Sequence, residues 1–457
     1  MADLHVTINR EKGAIAGQVA SELRASIRQG RLTPGTRLPA SRDLAADLQV
    51  SRGVVVEAYE QLVAEGFLIS RVGSGTQVAP VAAPPAPPPA TGPEPHAPFY
   101  GHRPTSPDLG HFPRQRWLAS VKHVLTTMPG DALDYGDPGG VPELREELAG
   151  YLRRVRAADV RPENLVIVGG VAQGLSLILR VLARDRRVRL AVEDPTSHRQ
   201  EPLLRRAGAD LFPVPVDDQG LDVARLPAAD AVLLTPAHQY PTGVVLSPAR
   251  RAALMEWVRQ GDRVILEDDY DAEFRFDRDP VGCLQGLAPD RVILSGSVSK
   301  ALAPGLRLGW VVAPAPLAEA VRRARGELDL GSPVVEQYAL AHFLRTGGYD
   351  RHLRRMRREY HRRRDALVGA LAEGLPEVRV RGIEAGLHVY LDLPDGWDEG
   401  RMAAAAVELG LSAEPVGIMR SAAGPPAVVV GFARLPARKA AEAVQGLKDI
   451  MSGHNVM

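Results

Sequence analysis

Apolar residues recur at every fourth position close to the amino terminus. Four of them share one face of a predicted amphipathic helix: Ile15, Val19, Leu23 and Ile27. The turn residues Leu-Thr-Pro-Gly at 32–35 follow that helix, and a second helix is predicted to start at Ser41. We expect the Ser41 hydroxyl to cap this helix, because serine oxygens commonly accept hydrogen bonds from the first backbone N–H groups of a helix.

A third helix is predicted to open after Ser51, which repeats the capping device behind a short turn. Its inward-facing residues are Val55, Tyr59 and Leu62. Gly66 is the stop signal, and beyond it the runs FLISR and TQV flank a glycine-rich tip that predicts a β-hairpin. Two capped helices joined by a tight turn and followed by a hairpin indicate a winged helix-turn-helix.

Short β-branched runs alternate with amphipathic helical patterns in the larger, carboxy-terminal part of the chain. The predicted strands lie at 165–168, 188–192, 231–234, 263–266, 291–294 and 309–312. This alternation is typical of an α/β domain with a largely parallel sheet. Near the carboxyl end, LHVYLDL and AVVVGF lie beside further helical patterns and predict a smaller α+β lobe.

A proline-rich segment separates the two patterned regions. Residues 79 to 98 contain nine prolines in twenty positions, a composition that favours extended polyproline and supplies no packed core. At roughly 3.1 Å per residue it spans about 60 Å as a semi-rigid tether. A proline-rich ligand for another domain is the alternative interpretation. The predicted organisation is a domain over 1–79, a linker over 80–98 and a second domain over 99–457.

Composition places the chain among ordinary globular proteins. It has 457 residues, 45% of them hydrophobic and 24% charged, with no apolar run as long as the ~18 residues that a membrane span requires. The start of the chain lacks the apolar core of a secretory signal, and the single cysteine, Cys283, predicts core packing in a reducing compartment. We therefore expect a cytoplasmic protein, nucleoid-associated when it is bound to DNA. The net charge of +1 does not decide for or against nucleic acid.

The positive charge of this chain is almost entirely arginine. Of 56 basic residues only five are lysines, and Lys300 is the single lysine between Lys122 and Lys439. An isolated lysine in such a chain suggests a position where a primary amine is required. A surface lysine retained by chance is the alternative.

The amino-terminal fold predicts a DNA contact surface. The second helix of a helix-turn-helix enters the major groove with its first residues at base edges, here Ser51 and Arg52. Arg37 and Arg42 lie where neighbouring phosphates would run, and the wing tip ending at Gly75 would approach the backbone or the minor groove. A three-helix interaction module with solvated arginines is the alternative, because residues 1 to 80 hold nine basic and eight acidic residues.

The carboxy-terminal domain carries the groups that pyridoxal phosphate (PLP) requires. PLP needs an amine, a carboxylate against its pyridine nitrogen, a hydroxyl near its phenolic oxygen and donors for its phosphate. Asp268 and Tyr270 are predicted just past one strand end, and Ser297, Ser299 and Lys300 just past the next. The phosphate would rest on the helix that opens at Val171 and Ala172, where unpaired N–H groups attract anions, with Arg307 adding a fixed charge. No shared metal-ligand spacing is present among the histidines, so we assign no metal.

The amino-terminal motifs resemble the winged helix of the GntR superfamily of bacterial transcription regulators. The resemblance covers about residues 12 to 79 and includes the LPASR start, the SR at the recognition helix, the AY that packs it and the GSGT wing. It implies Arg42, Arg52 and Gly75 as DNA-contact residues and operator DNA as the partner.

From about residue 105 onward the chain resembles fold-type I aminotransferases. The matching pieces are YGDPGGVPELR, VGGVAQGL, VEDP, TPAHQYPTG, EDDYDAEF and SGSVSKALAPGLRLGW. A GntR-type winged helix linked to such a domain is the architecture of the MocR subfamily. This resemblance implies Lys300 as the Schiff-base lysine, Asp268 as the partner of the ring nitrogen and Tyr270 near the phenolic oxygen. It also implies a head-to-tail homodimer in which Tyr135 reaches the phosphate of the neighbouring subunit.

The chain departs from the aminotransferase pattern where substrate would bind. Tyr240 replaces the asparagine of the NPTG motif, and Ser197 stands where an aromatic residue often stacks on the ring, with His198 adjacent. Val429 aligns with the enzymes' substrate-carboxylate arginine. The arginines that could take over that role are Arg199, Arg420 and Arg434.

The sequence therefore predicts a MocR-type regulator that senses a small amine, an amino acid or a B6 vitamer through an internal aldimine at Lys300. Because the tether joins each DNA-binding head to the dimer, a modest change in the dimer would alter simultaneous engagement of two half-sites. A working aminotransferase with an accessory module is the alternative, and a residual half-reaction is compatible with the sensor. A third hypothesis is a cofactor-free repressor that retains a dead scaffold.

Overall fold

The computed structural model describes residues 6–71, 75–80, 103–183, 186–276, 281–382 and 384–452. The chain divides into two compact units, Met1–Phe99 and Tyr100–Met457, which we call unit 1 and unit 2. Most of the predicted linker, together with Gly73 and Ser74 of the predicted wing tip, lies outside the described residues.

Unit 1 is built from three helices and a two-stranded antiparallel sheet. The elements are α1 (Ile15–Arg28), α2 (Ser41–Asp47), α3 (Arg52–Ala64), β1 (Leu68–Arg71) and β2 (Gly75–Val78). Its core includes the predicted inward residues Val55, Tyr59 and Leu62 of α3, packed against Val19 and Leu23 of α1. The helix-turn-helix and the hairpin predicted from the periodicity are confirmed.

The two predicted helix caps have different outcomes. Ser51 caps α3, because its side chain accepts a hydrogen bond from the Val54 N–H at 3.4 Å. The cap predicted at Ser41 is wrong: Ser41 is already the first helical residue, and the extended residue before the helix is Ala40, which offers no side-chain acceptor. The Ser41 hydroxyl instead accepts a hydrogen bond from Arg52 Nε at 3.4 Å, which links the starts of α2 and α3.

Unit 2 contains ten α-helices among its described residues, besides short 3-10 helices. They are α4 (Arg114–Thr127), α5 (Pro142–Arg156), α6 (Val171–Leu182), α7 (Glu201–Arg206), α8 (Pro248–Arg259), α9 (Ala315–Asp329), α10 (Val334–Arg345), α11 (Gly348–Gly374), α12 (Glu399–Glu408) and α13 (Ala440–Ser452). No described helix is both long and apolar enough to cross a membrane.

A mixed eight-stranded sheet forms the centre of unit 2. Its strands are β3 (Leu165–Val168), β4 (Val188–Asp194), β5 (Ala209–Asp217), β6 (Gly220–Leu221), β7 (Ala231–Leu234), β8 (Val264–Asp269), β9 (Val292–Ser297) and β10 (Gly309–Val312). They lie in the order β3-β10-β9-β8-β7-β4-β5-β6. The five strands from β9 to β5 pair in parallel, which confirms the largely parallel sheet, and β10 is antiparallel to both its neighbours.

All six predicted strands of the large sheet are present, but the nine-residue β5 was missed. Pro213 and Pro215 interrupt its apolar pattern, and proline normally argues against a strand because it lacks an N–H donor. These prolines are tolerated because β5 lies next to the edge of the sheet, where its outer neighbour β6 pairs with only two of its residues.

The strand directions bring four chain segments to one edge of the sheet. The carboxyl ends of β8 and β9 lie side by side, with Asp269 opposite Gly296. Gly309 at the start of the antiparallel β10 pairs with Ser297 on one side and with Val168, the last residue of β3, on the other. The residues that follow β3, β8 and β9 and those that precede β10 therefore meet at the same edge, where ligands of open α/β sheets bind.

The predicted smaller lobe is an antiparallel sheet flanked by helices. Its strands are β11 (Arg379–Arg381), β12 (His388–Asp392), β13 (Ser412–Pro415) and β14 (Ala427–Gly431), in the order β11-β12-β14-β13. One continuous core joins this lobe to the long helix α11 and to part of the large sheet. Cys283 lies in that core, and burial raises the pKa of its thiol to about 12, so its packing role is confirmed.

Candidate functional site

The residues predicted to hold the phosphate come together where α6 begins, at a place that we call the anion cradle. Gly170 precedes α6 with φ at +107°, a backbone conformation that residues other than glycine rarely adopt. A Cβ atom at Gly170 would lie 3.1 Å from the Arg307 guanidinium, so this side chain lies directly against the glycine turn. The first N–H groups of a helix have no intrahelical partners, and Val171 and Ala172 supply two of them here. The predicted phosphate residues therefore meet at one place.

Asp268 presents a buried carboxylate oxygen with no partner among the described residues. It lies inside β8 rather than past its end, and only one oxygen is engaged, by Gln200 Nε2 at 3.2 Å. Its Oδ1 atom is buried without a hydrogen bond, which is costly unless a ligand supplies a donor. Burial raises the pKa of Asp268 to about 7.

The neighbouring Asp269 has a different environment because successive strand residues face opposite sides of a sheet. Asp269 forms a buried ion pair with Arg156, whose Nε lies 2.6 Å from its carboxylate. Asp269 therefore has a structural role, whereas Asp268 keeps one oxygen available to a ligand.

Lys300 follows β9 and donates a hydrogen bond from Nζ to Thr105 Oγ1 at 2.9 Å. Burial, together with the nearby positive charge of Arg103, lowers the pKa of the Lys300 amine to about 8. A lower pKa leaves more of the amine unprotonated at neutral pH, and the unprotonated amine is the nucleophile that condenses with an aldehyde. Its chemistry therefore matches the predicted role.

Tyr270 lies just past β8, beside the buried His238. The Tyr270 hydroxyl lies 3.0 Å from Nδ1 of His238, and the same nitrogen lies 2.9 Å from Asp271 Oδ2. His388 of β12 packs against His238 with ring centroids 5.0 Å apart. Ligand atoms of His238, Asp271 and His388 lie within 4.8 Å of one another, a group that the spacing along the chain did not predict. We interpret the hydrogen-bonded pair of His238 and Asp271, with His388 packed against it, as a support for Tyr270.

The remaining predicted cofactor residues, Ser297, Ser299 and Tyr135, lie in different environments. Ser297 is the last residue of β9, not a residue past its end, and its hydroxyl accepts a hydrogen bond from the Ser299 N–H at 3.4 Å. Tyr135 is 83% exposed, and among the described residues no hydrogen bond or ring contact joins it to the other predicted cofactor residues.

Most side chains at the positions where the chain departs from aminotransferases are engaged in apolar packing, in an ion pair or in a hydrogen bond. Val429 of β14 is fully buried in an apolar cluster with Tyr240 packed against it. Of the three arginines considered as replacements, Arg199 pairs with Glu414 at 2.6 Å and Arg420 donates to Tyr390 Oη at 2.8 Å. Arg434 is exposed.

The predicted DNA-contact residues of unit 1 all lie on its surface: Arg37, Arg42, Ser51, Arg52 and Gly75. Arg37 forms a β-bridge with Gln77 of the wing, so the segment before α2 is joined to the hairpin. Arg52 is the first residue of α3, as a recognition helix requires of a residue that reaches base edges.

Two protein families match this chain. Residues 15–78 match the gntR family of bacterial regulatory proteins, and residues 106–445 match aminotransferase class I and II. The chain belongs to the MocR subfamily of GntR-type regulators.

Relatives of this MocR-type chain cover nearly its whole length. It is 36% identical to the HTH-type pyridoxine biosynthesis transcriptional regulator PdxR of Corynebacterium glutamicum, over 86% of each chain. It is 30% identical to the probable rhizopine catabolism regulatory protein MocR of Rhizobium meliloti, over 94% of this chain and 92% of that one. Among solved structures it resembles the Pyrococcus horikoshii kynurenine aminotransferase, with a TM-score of 0.71, 26% identity and coverage of 78% and 91%.

Sequence reasoning missed three residues of the site. Thr105 and Arg103 lie well before YGDPGGVPELR, the first of the matching aminotransferase motifs, where no motif marks them. His238 was part of a quoted motif, TPAHQYPTG, but its partner Tyr270 is 32 residues away. A search for polar residues placed beside the other motifs could have found only His238.

Proposed function

We propose that this chain is a transcription regulator that binds an operator through unit 1 and binds PLP in unit 2, where it senses a small amine, an amino acid or a B6 vitamer. The observation that carries the proposal is the coexistence of two sites on one chain. Unit 1 exposes the start of its recognition helix, and unit 2 gathers Lys300, Asp268 and the cradle at Gly170 at one sheet edge.

Unit 1 supports binding to duplex DNA. Arg52 would contact a base edge or a phosphate from the major groove, and Arg37 and Arg42 would contact neighbouring phosphates. Access to a chromosome puts the protein in the cytoplasm and, when it is bound, at the nucleoid.

The residues of unit 2 fit PLP. The unpartnered Asp268 oxygen is suited to accept a hydrogen bond from the pyridine nitrogen, and the cradle of Gly170 and Arg307 is suited to the phosphate. Tyr270 would lie near the phenolic oxygen, with Ser297 and Ser299 close to Lys300. When bound, PLP supplies an aldehyde that condenses reversibly with primary amines. Lys300 supplies the amine of this chain, and its lowered pKa favours the unprotonated form that reacts.

Sensing is favoured over steady-state transamination by the environment of β14. Val429 offers no charge at the position that aligns with the substrate-carboxylate arginine of aminotransferases. Tyr240 packs against the apolar cluster that contains Val429. The relatives named as transcription regulators point in the same direction.

A homodimer is part of this proposal. Several large apolar side chains of unit 2 are exposed in the single chain: Leu118, Leu125, Leu133, Tyr135, Leu328 and Leu330. Leu118 and Leu125 lie seven residues apart on α4, hence on one face of that helix. A second copy packed head to tail would cover such residues, and Tyr135 would then reach the neighbouring phosphate.

The test combines a covalent and a DNA readout on the full chain. Incubation with PLP followed by borohydride should attach the cofactor at Lys300, as found by peptide mapping, and the Lys300→Ala variant should lose the visible absorption band. Lys122→Ala removes another lysine, on α4, and should keep the band. Footprinting on the DNA upstream of its own gene should show protection. A label elsewhere, or no label, would overturn the cofactor assignment, and no protection would overturn operator binding.

A further inference from the structure

Gln200 is the residue directly before α7, and it is half-buried. Its backbone N–H donates to the Ser197 carbonyl at 3.0 Å, and its carbonyl accepts a hydrogen bond from the Leu204 N–H at 3.0 Å. A turn before Gln200 and the first turn of α7 after it therefore fix its backbone. The point from which its side chain leaves the chain is defined by these two bonds.

The segment that leads to Gln200 is also tied to the smaller lobe. The Thr196 N–H donates to the Met419 carbonyl at 3.0 Å, and the Ser421 N–H donates to the Asp194 carboxylate at 3.0 Å. Met419 and Ser421 lie in the connection between β13 and β14. Contacts with the smaller lobe therefore add to those of α7 in holding this segment in place.

The Gln200 side chain reaches Asp268 across 68 residues of sequence. Its Nε2 atom donates to Asp268 Oδ2 at 3.2 Å, the one hydrogen bond that this carboxylate makes within the described part of the chain. The other oxygen, Oδ1, is buried without a partner. An ionised carboxylate only accepts hydrogen bonds, so the amide must donate. Gln200 thus occupies one oxygen and leaves the second for a ligand.

The hydrogen bond from Gln200 counteracts the burial of Asp268. Burial favours the neutral carboxyl and raises its pKa to about 7, whereas the donated N–H favours the charged form. The other titratable groups that act on this carboxylate are Asp269, Asp271, Glu193 and Lys300. Gln200 differs from all four because it donates a hydrogen bond and carries no charge.

The protonation state of Asp268 decides how it would meet a pyridine nitrogen. A charged carboxylate accepts a hydrogen bond and stabilises a protonated ring nitrogen. A neutral carboxyl would instead donate its own proton to an unprotonated nitrogen. A donor on Oδ2 therefore favours the arrangement in which the ring carries the proton.

We propose that Gln200 is the positioning residue of Asp268: its amide holds Oδ2, favours the charged carboxylate and leaves Oδ1 to accept from the pyridine nitrogen of the cofactor. Gln200 acts through Asp268. This inference rests on the proposed function, because it assumes that PLP binds with its ring nitrogen at Asp268.

The first test uses the cofactor-free full chain in four forms, wild type and Gln200→Leu, each with and without Asp268→Asn. Urea unfolding across the pH range is compared within each pair, which isolates the titration of Asp268. For a carboxyl with a raised pKa the difference changes from about pH 4 upward and becomes constant above the pKa of the folded state. We expect the Gln200→Leu pair to reach its constant value about one pH unit higher, because losing a hydrogen bond to a charged group changes proton affinity about 10-fold.

The second test uses two cofactors that differ at one ring position. The analogue 1-deaza-PLP has a C–H in place of the pyridine nitrogen and keeps the aldehyde and the phosphate. The ratio of its dissociation constant to that of PLP, from equilibrium dialysis, measures the contribution of the ring nitrogen. We expect a ratio of at least about 10 in the wild type and a ratio about 3- to 10-fold smaller in Gln200→Leu. A general loss of structure would weaken both cofactors and leave the ratio unchanged.

Two further variants complete the test. Gln200→Glu keeps the shape of the side chain but has no N–H donor when ionised, so both readouts should move in the same direction as in Gln200→Leu, even if the leucine variant fails to fold. Gln260→Leu is the matched control, because Gln260 Nε2 also donates to a carboxylate at 3.2 Å, that of Glu256, on the exposed surface of α8. It should leave both readouts at their wild-type values.

The positioning role of Gln200 would be overturned by the same pH dependence in both pairs, by a wild-type ratio near one, or by wild-type ratios in the Gln200 variants. A wild type that binds no PLP would instead defeat the proposed function. The cofactor-free measurement would still decide whether Gln200 controls Asp268, so the two failures are distinguishable.

Discussion

The Tyr270 hydroxyl and Nδ1 of the buried His238 lie 3.0 Å apart. Asp271 lies 2.9 Å from the same imidazole nitrogen, and His388 packs against the ring from the smaller lobe. A buried network of this kind orients its members because each unsatisfied polar atom would be costly. We therefore expect His238 to position the Tyr270 side chain.

His238→Gln should disturb the cofactor through Tyr270. We expect PLP binding to weaken about 3- to 10-fold, as for loss of one buried hydrogen bond, and the pH midpoint of the visible band to move in the same direction as in Tyr270→Phe. Spectrophotometric titration of the loaded chain measures both. His361→Gln, on the half-exposed face of α11, is the control. A normal midpoint in His238→Gln would contradict the positioning role.

Gly170→Ala should damage the anion cradle. The alanine would have to adopt φ near +107°, and its Cβ would press on the Arg307 guanidinium at 3.1 Å. We expect PLP affinity, measured by equilibrium dialysis, to fall at least 10-fold. Gly150→Ala in α5, where a Cβ meets no atom within 4 Å, should leave PLP affinity unchanged and stabilise the helix by up to about 1 kcal/mol. Equal PLP affinities in the two variants would argue against a phosphate site at Gly170.

Asp268 should make the cofactor-free chain less stable as the pH rises. Its pKa is raised by burial to about 7, so the folded state keeps a proton that the unfolded state releases from about pH 4 upward. The stabilisation is complete below pH 4 and is lost as the pH rises through 7. Asp268→Asn cannot titrate, so its free energy of unfolding relative to wild type should increase by about 2–4 kcal/mol between pH 5 and pH 8.

Urea unfolding of both proteins at several pH values measures this difference. Glu193 and Glu267, which are also buried with pKa values of about 7, are present in both proteins and cancel in the comparison. Added PLP should remove the contribution of Asp268 to the pH trend of the wild type, because a donor on the ring nitrogen favours the charged carboxylate. A constant difference from pH 5 to pH 8 would rule out titration of Asp268 in this range.

Arg52→Gln should weaken operator binding without changing the fold. Arg52 is exposed at the first position of α3, and its only described hydrogen bond is the 3.4 Å contact with Ser41. If it contacts a phosphate, the slope of log K against log salt should fall by about 1; if it reads a base, affinity should fall by about 1–3 kcal/mol with relaxed specificity at one position. Arg206→Gln in unit 2 removes the same charge as a control. Wild-type affinity and slope in Arg52→Gln would remove this residue from the DNA interface.

Local patterns were sufficient for most of the secondary structure. The six strands of β-branched residues and the Ser51 cap follow from interactions between residues close in sequence. The order of chemical groups along the chain was also sufficient to predict that Asp268 and Lys300 lie near each other, because the carboxyl ends of neighbouring parallel strands share one edge. The sequence analysis missed strand β5 because the position of the strand next to the sheet edge tolerates its prolines. It placed a helix cap at Ser41 wrongly because the Ser41 hydroxyl bonds to Arg52 of α3 instead.

The amino-acid sequence by itself determined the two-part architecture, the family and the lysine proposed to bind PLP, since these depend on motifs whose residues are adjacent or follow one another at the ends of strands. Only the tertiary structure decided which polar groups remain without partners and which segments close the site. The Thr105 hydroxyl meets Lys300 Nζ across 195 residues, and Asp269 rather than Asp268 pairs with Arg156. Such partnerships depend on the packing of distant segments, which no periodicity along the chain encodes.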